Sequence, residues 1–272
     1  MFLICICMQA VQELSLPCQA RMLALLLREL VPAQPNLRRL NQLFAADPVL
    51  ALELLHSANA APYQMAGQVR GIPQAVTLLG ARHLNTLLKK AQATTAQRSL
   101  GEVDMAQFAR LSTQAAKLAR SLAGLVRLDA CAAYSAGLLH GVGQLVVQQT
   151  QPQAIAQLPK DVPWWDPRRP RVELRQWGYS ASKVTGTLLQ ECALPYEVSA
   201  AILAMDAPLQ SEHFDPLAGV LHVAVWCCRA RESAWSERLM ADAFPMEVAL
   251  ALGLDMDVVL QQDAADWSRS IY

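Results

Sequence analysis

The chain has 272 residues, 53% of them hydrophobic, and its 23 Lys and Arg balance 23 Asp and Glu. That is enough apolar side chain for a sizeable core, in one large domain or two closely packed smaller ones. Zero formal charge excludes a general electrostatic pull toward nucleic acid or anionic lipid, so either partner would need a specific local site.

The opening MFLICICM is apolar, but it lacks a basic start and is too short to span a bilayer, which points to a segment docked on the fold rather than a targeting signal. No other run approaches the roughly 18 uninterrupted apolar residues of a membrane helix, so the expectation is a soluble protein without a membrane partner. Seven cysteines, at 5, 7, 18, 131, 192, 227 and 228, are dispersed through apolar stretches rather than set at framework spacings. They read as reduced core thiols of a cytoplasmic protein.

Apolar residues recur at helical spacing almost throughout, and alternating strand-like runs are missing, so the fold class is all-α. Leu16 to Val31 reads as the first helix, ended by Pro32 and Pro35. Asn36 offers a capping oxygen to a helix over Leu37 to Phe44, and Asp47 followed by Pro48 opens another that ends near Asn59. Pro73 starts a short helix that Gly80 separates from the next, Ala81 to Ala96. These short helices predict an N-terminal bundle over residues 1–100.

Residues 101–272 form the second expected subdomain. Asp104 caps a long amphipathic helix to about Val126, and Asp129 caps one over Ala130 to Gln148. QLPKDVPWWDPRRPR then breaks the pattern, because each proline removes a donor and biases its predecessor away from helix; an exposed loop is expected. Helices resume at about Ser180 to Cys192, Pro195 to Met205 and Pro216 to Arg231, with two short ones near the C-terminus.

DPVLALELLHSANAAPY, IPQAVTLLG, AGLLHGVGQLVV, WGYSASKVTGTLL and ALGLDMDVV together span nearly the whole chain, and the sequence resembles the HDOD family through them. This is the HD-related output domain of bacterial signalling proteins, a degenerate branch of the HD phosphohydrolases. Asn59 and Tyr63 match the family's asparagine and tyrosine turn, with Ala60 where serine is usual. The resemblance implies an N-terminal short-helix bundle packed on a degenerate HD-like helical bundle, the two making one HDOD unit.

An HD site needs several oxygen or imidazole ligands converging on a metal that activates water. The resemblance places Leu111 at the first histidine and His140 with Gly141 at the His-Asp pair. It places Val225, within about one helical turn, at the distant aspartate. Further ligands of two-metal relatives fall on Ala181 and near Met205 and Asp206. One ligand survives, which leaves an incoming cation uncompensated for its dehydration. Leucine, alanine and valine there imply a site turned into core, no metal, no cofactor and no catalytic residues.

His140 reads as a buried neutral imidazole hydrogen-bonded to a neighbouring helix. His222 with Cys227 and Cys228 spreads around a helix rather than converging as zinc ligands do. Gly137, Gly141 and Gly143 read as close-packing points. WWDPRRPRVELRQW is the most unusual surface stretch: Trp164, Trp165 and Trp177 flank Arg168, Arg169, Arg171 and Arg175, residue types that contact a partner or stack a base and pair a phosphate. The reading is a non-enzymatic regulatory or scaffold domain that binds signalling proteins or a second copy of itself, in a setting the resemblance associates with cyclic-di-nucleotide pathways. Nucleic acid is not expected as a partner. The alternatives are a metal-dependent phosphodiesterase or nucleotidase with unorthodox ligands, and a nucleotide sensor without catalysis.

Overall fold

The computed structural model describes residues 16–60, 67–97, 103–210 and 213–262. The MFLICICM opening and Tyr63 lie outside the described residues. The described residues form helices and turns: α1 (Ala20–Glu29), α2 (Leu37–Phe44), α3 (Pro48–Asn59), α4 (Ile72–Gln97), α5 (Met105–Leu125), α6 (Ala130–Leu139), α7 (Val142–Thr150) and α8 (Pro152–Ala156). The chain continues through α9 (Arg169–Trp177), α10 (Ala181–Glu191), α11 (Tyr196–Ala204), α12 (Pro216–Glu232), α13 (Glu237–Asp242), α14 (Met246–Leu252) and α15 (Met256–Leu260).

Side-chain caps set most of these starts by accepting from N–H groups that the first helical turn leaves unpaired. Asn36 accepts from Arg39 N at 3.0 Å, Asp104 from Ala106 N at 2.8 Å and Asp129 from Cys131 N at 2.7 Å. Fully buried Asp47 caps α3 through Val49 N at 2.9 Å, and its other oxygen takes Gln19 N at 2.7 Å, fixing the entry to α1. Gly80 lies inside α4 at φ 66°, where it kinks the helix in a conformation that side chains rarely adopt.

Buried Asn59 is satisfied on both faces of its amide. Its nitrogen donates to Leu55 O at 2.9 Å and Val69 O at 3.1 Å, and its oxygen accepts from Val69 N at 3.0 Å and Gln68 N at 3.2 Å. It therefore pins the chain after α3 to the helix it has left. The first three helices pack against α4, while α5, α6 and α12 form the centre of the second part. One hydrophobic cluster runs from Leu16 to Val259 across both. Polar ties cross the same seam: His56 Nδ1 donates to Cys192 O at 2.9 Å, and Arg70 reaches Glu197 at 2.8 Å and Asp129 at 3.1 Å.

Three sequence expectations are corrected. The Ala130–Gln148 helix is two helices broken at His140–Gly141, because Thr185 of α10 intervenes: its hydroxyl accepts from Gly143 N at 2.8 Å and donates to His140 O at 2.8 Å, diverting both groups from the helical ladder. The connection expected as an exposed loop is half-buried and leads into α9, with Trp164 and Trp165 packed on the core. Among the described residues three short helices, not two, follow α12. Cys131 is exposed, whereas Cys18, Cys192, Cys227 and Cys228 are buried thiols. The segment Ala130–Thr150 is long and apolar enough to cross a membrane, but 89% of that window is buried in the bundle, as expected of a core helix pair.

Glycines let these helices approach backbone to backbone. A Cβ on Gly137 would stand 2.6 Å from Ala116 Cα of α5, and one on Gly143 would collide with the Ala181 carbonyl. Gly143→Ala should lower unfolding stability by about 1–3 kcal/mol through overpacking. Gly124→Ala, on α5 with open space around it, should raise stability by roughly 0.5–1 kcal/mol. Urea denaturation of the pair checks this, and equal effects would contradict the packing account.

Candidate functional site

The His140–Gly141 turn is held between three helices. Thr185 ties it to α10. Phe108 and Ser112 of α5 face Gly141, where an added Cβ would come 3.1 Å from Phe108 Cε2 and 3.9 Å from Ser112 Oγ. From α12, the charge of Arg229 acts on His140.

His140 is 2% exposed. Its Nδ1 lies 2.7 Å from Gly137 O, a carbonyl of its own helix rather than of a neighbouring one. A carbonyl only accepts, so Nδ1 carries the proton and Nε2 is left as an acceptor, buried and without a protein partner among the described residues. Burial first, and the Arg229 charge second, hold the imidazole down at about 3, so it is neutral at physiological pH.

Of the other positions that the resemblance assigns, Leu111, Gly141, Ala181 and Val225 offer no ligand atom from their side chains, while the Asp206 carboxylate accepts from the Ser180 and Ser182 hydroxyls. Leu111, Ala181 and Val225 are buried on α5, α10 and α12, and Gly141 is buried at the turn. Among the described residues no three His, Cys, Asp or Glu side chains gather as metal ligands would. His222 donates from Nδ1 to Met205 O at 2.7 Å, and burial pushes the Cys227 thiol up to about 12.

The surroundings are more polar than Leu111, Ala181 and Val225 suggest. Arg229, one helical turn beyond Val225, is 8% exposed, and its Nε has no hydrogen-bond partner among the described residues. Burial lowers its pKa, while Asp206, Glu173 and Asp166 oppose that; a guanidinium stays cationic here. Sequence reasoning missed Arg229, although an arginine within the apolar run HVAVWCCRA, inside the stated register uncertainty, was a visible signal.

The four arginines do not share one exposed surface. Asp166 grips Arg168 through two oxygens, at 2.9 Å to Nε and 2.8 Å to NH2. Arg169 is turned inward, 5% exposed, with Nε 2.8 Å from Glu173 and NH1 2.8 Å from Val162 O. The second Glu173 oxygen accepts from Ala181 N at 2.8 Å, so this ion pair seats α9 on the start of α10. Arg171 and Arg175 are exposed on α9 beside Leu174. Trp164 packs 5.6 Å from Phe108 and 5.5 Å from Trp165.

Between α9, the Met205–Asp206 turn and α12 lies a cavity of about 540 Å³. Its lining includes Arg168, Arg171, Asp206, His222, Trp226 and Arg229. Val225 and Met205 also face it, so it adjoins the positions inherited from the HD pattern.

These features define an all-α, HD-like helical domain. The family model described as HDOD domain matches residues 16–208, and the chain belongs to that family. Among solved structures, the MmoQ response regulator from Methylococcus capsulatus is 22% identical, with 91% of this chain and 98% of that chain covered at a TM-score of 0.69. A virulence factor from Campylobacter jejuni is 16% identical over 95% of this chain and 98% of its own, at 0.60. An HDOD domain protein from Geobacter sulfurreducens is 20% identical over 95% and 91%, at 0.50. No curated protein matches the chain. At these identities the likeness establishes the fold.

The His140 environment sets a pH dependence. A folded value of about 3 against an ordinary 6.5 means that the unfolded chain binds the extra proton between those limits. The His140 contribution is therefore complete above about pH 6.5 and is lost as pH falls toward 3. The difference in stability between the parent and His140→Gln should change by up to about 1.4 kcal/mol per pH unit in this window. A difference independent of pH would contradict a neutral buried imidazole.

Proposed function

We propose that the chain is a non-catalytic regulatory domain that works in the cytoplasm by binding another signalling protein. The observation that carries this reading is the single imidazole at the old ligand set, with a guanidinium acting on it from the next turn of α12. A metal entering there would meet the neutral His140 donor and the Arg229 charge, with the Asp206 carboxylate already committed to the Ser180 and Ser182 hydroxyls. Its dehydration would go uncompensated.

The partner surface that fits best is the outer face of α9. Arg171, Leu174 and Arg175 stand three and four residues apart on one side of a helix, and Leu174 is 59% exposed. Two cations around an exposed leucine suit an acidic partner with an apolar anchor. Arg169 belongs to the fold and is excluded from this surface. The family's cyclic-di-nucleotide context would be reached through that partner.

Two arms test the proposal. The purified chain and Gly141→Asp, each supplied with manganese, should leave bis(p-nitrophenyl) phosphate unhydrolysed, since one added carboxylate does not restore the ligand set. Leu174→Asp with Arg175→Glu should abolish retention of a signalling protein by the tagged chain without shifting its melting temperature. Metal-dependent turnover would favour the phosphodiesterase reading instead, and unchanged retention would remove the α9 surface.

A further inference from the structure

We infer that the cavity between α9, the Met205–Asp206 turn and α12 is a binding site for a mononucleotide, a phosphate ester carrying a flat aromatic base. The inference deepens the non-catalytic reading and rests on it, because a ligand held here meets no assembled hydrolytic site.

Arginines supply the anion end. Arg168, Arg171 and Arg229 all line the cavity. Arg168 is committed to Asp166. Arg171 is exposed at the rim, and neither it nor Arg229 has a carboxylate within ion-pair distance among the described residues. Arg229 is more than nine-tenths buried and its Nε is unpartnered. A buried donor without an acceptor destabilises the fold, a penalty that an entering phosphate oxygen would relieve.

Aromatic rings supply the second end. Trp226, Trp235 and Phe244 line the same cavity, with Trp226 edge-on to Trp235 at 6.1 Å and to Phe244 at 5.7 Å. Such a wall suits stacking of a base, whatever its sequence identity. The volume of about 540 Å³ lies within the range of roughly 300–1,000 Å³ usual for small-molecule sites.

The remaining polar groups disfavour a bare anion. Asp206 and Glu247 also face the cavity. Asp206 accepts from the hydroxyls of Ser180 and Ser182. His222, whose Nδ1 donates to Met205 O, also lines the cavity, and its Nε2 is left as an acceptor. Cations and acceptors thus line one pocket, a polarity that matches a phosphate joined to a base with exocyclic amino donors.

Calorimetry on the whole chain with AMP, GMP, guanosine and inorganic phosphate tests the site. At least one mononucleotide should bind about tenfold or more tightly than either guanosine or phosphate, with affinity falling as salt rises. Arg171→Ala, at an exposed position, should weaken it about tenfold with no change in melting temperature. Trp235→Ala should weaken it too, and Arg229→Met is read only if its circular dichroism matches the parent. Absence of binding by both mononucleotides at millimolar concentration, phosphate binding as tight as the mononucleotide, or affinity unmoved by Arg171→Ala and Trp235→Ala would each overturn the inference. Release of phosphate from a bound nucleotide would instead overturn the non-catalytic reading and leave the pocket standing.

Discussion

A guanidinium that cannot lose its charge sits in the core of this domain, and much of the site follows from it. Arg229 carries a fixed positive charge into a region walled by buried helices. Glu173, Asp166 and Asp206 are the anions whose fields compensate it. The same carboxylates organise their own surroundings: Glu173 holds Arg169 and the start of α10, Asp166 holds Arg168, and Asp206 collects two serine hydroxyls. The position and sign of one side chain therefore connect the seating of α9, the neutrality of His140 and the polarity of the neighbouring cavity.

A second constraint is steric. The α6–α7 turn approaches α5 and α10 more closely than any side chain larger than hydrogen allows at Gly137 and Gly143. Thr185 uses that proximity to exchange hydrogen bonds with the turn, so the helix breaks at the residue whose relatives carry the ligand pair. Hydrogen bonding and packing hold this break without any further group.

Much of the fold was legible in the sequence because its signals are local. Asn36, Asp47, Asp104 and Asp129 announce helix starts through acceptor chemistry that acts within three residues, and each caps the expected helix. Gly80 likewise marked a real kink. The His140 break was not legible, since it depends on Thr185, 45 residues away. Nor was α9, whose prolines suggest a loop until Arg169 and Glu173 pair across one turn inside the core. The resemblance to HD sites directed attention to Leu111, His140, Gly141, Ala181 and Val225, but it was silent on Arg229, because that pattern is a set of metal ligands and a guanidinium is not one.

The account stands or falls on whether that buried charge excludes a metal from the inherited site. The most direct measurement is the metal content of the full chain, determined by mass spectrometry after equilibration with manganese, iron or zinc and removal of excess ion. The account predicts substoichiometric metal, unchanged when His140 is replaced by glutamine. One equivalent retained per chain and lost with His140 would contradict it.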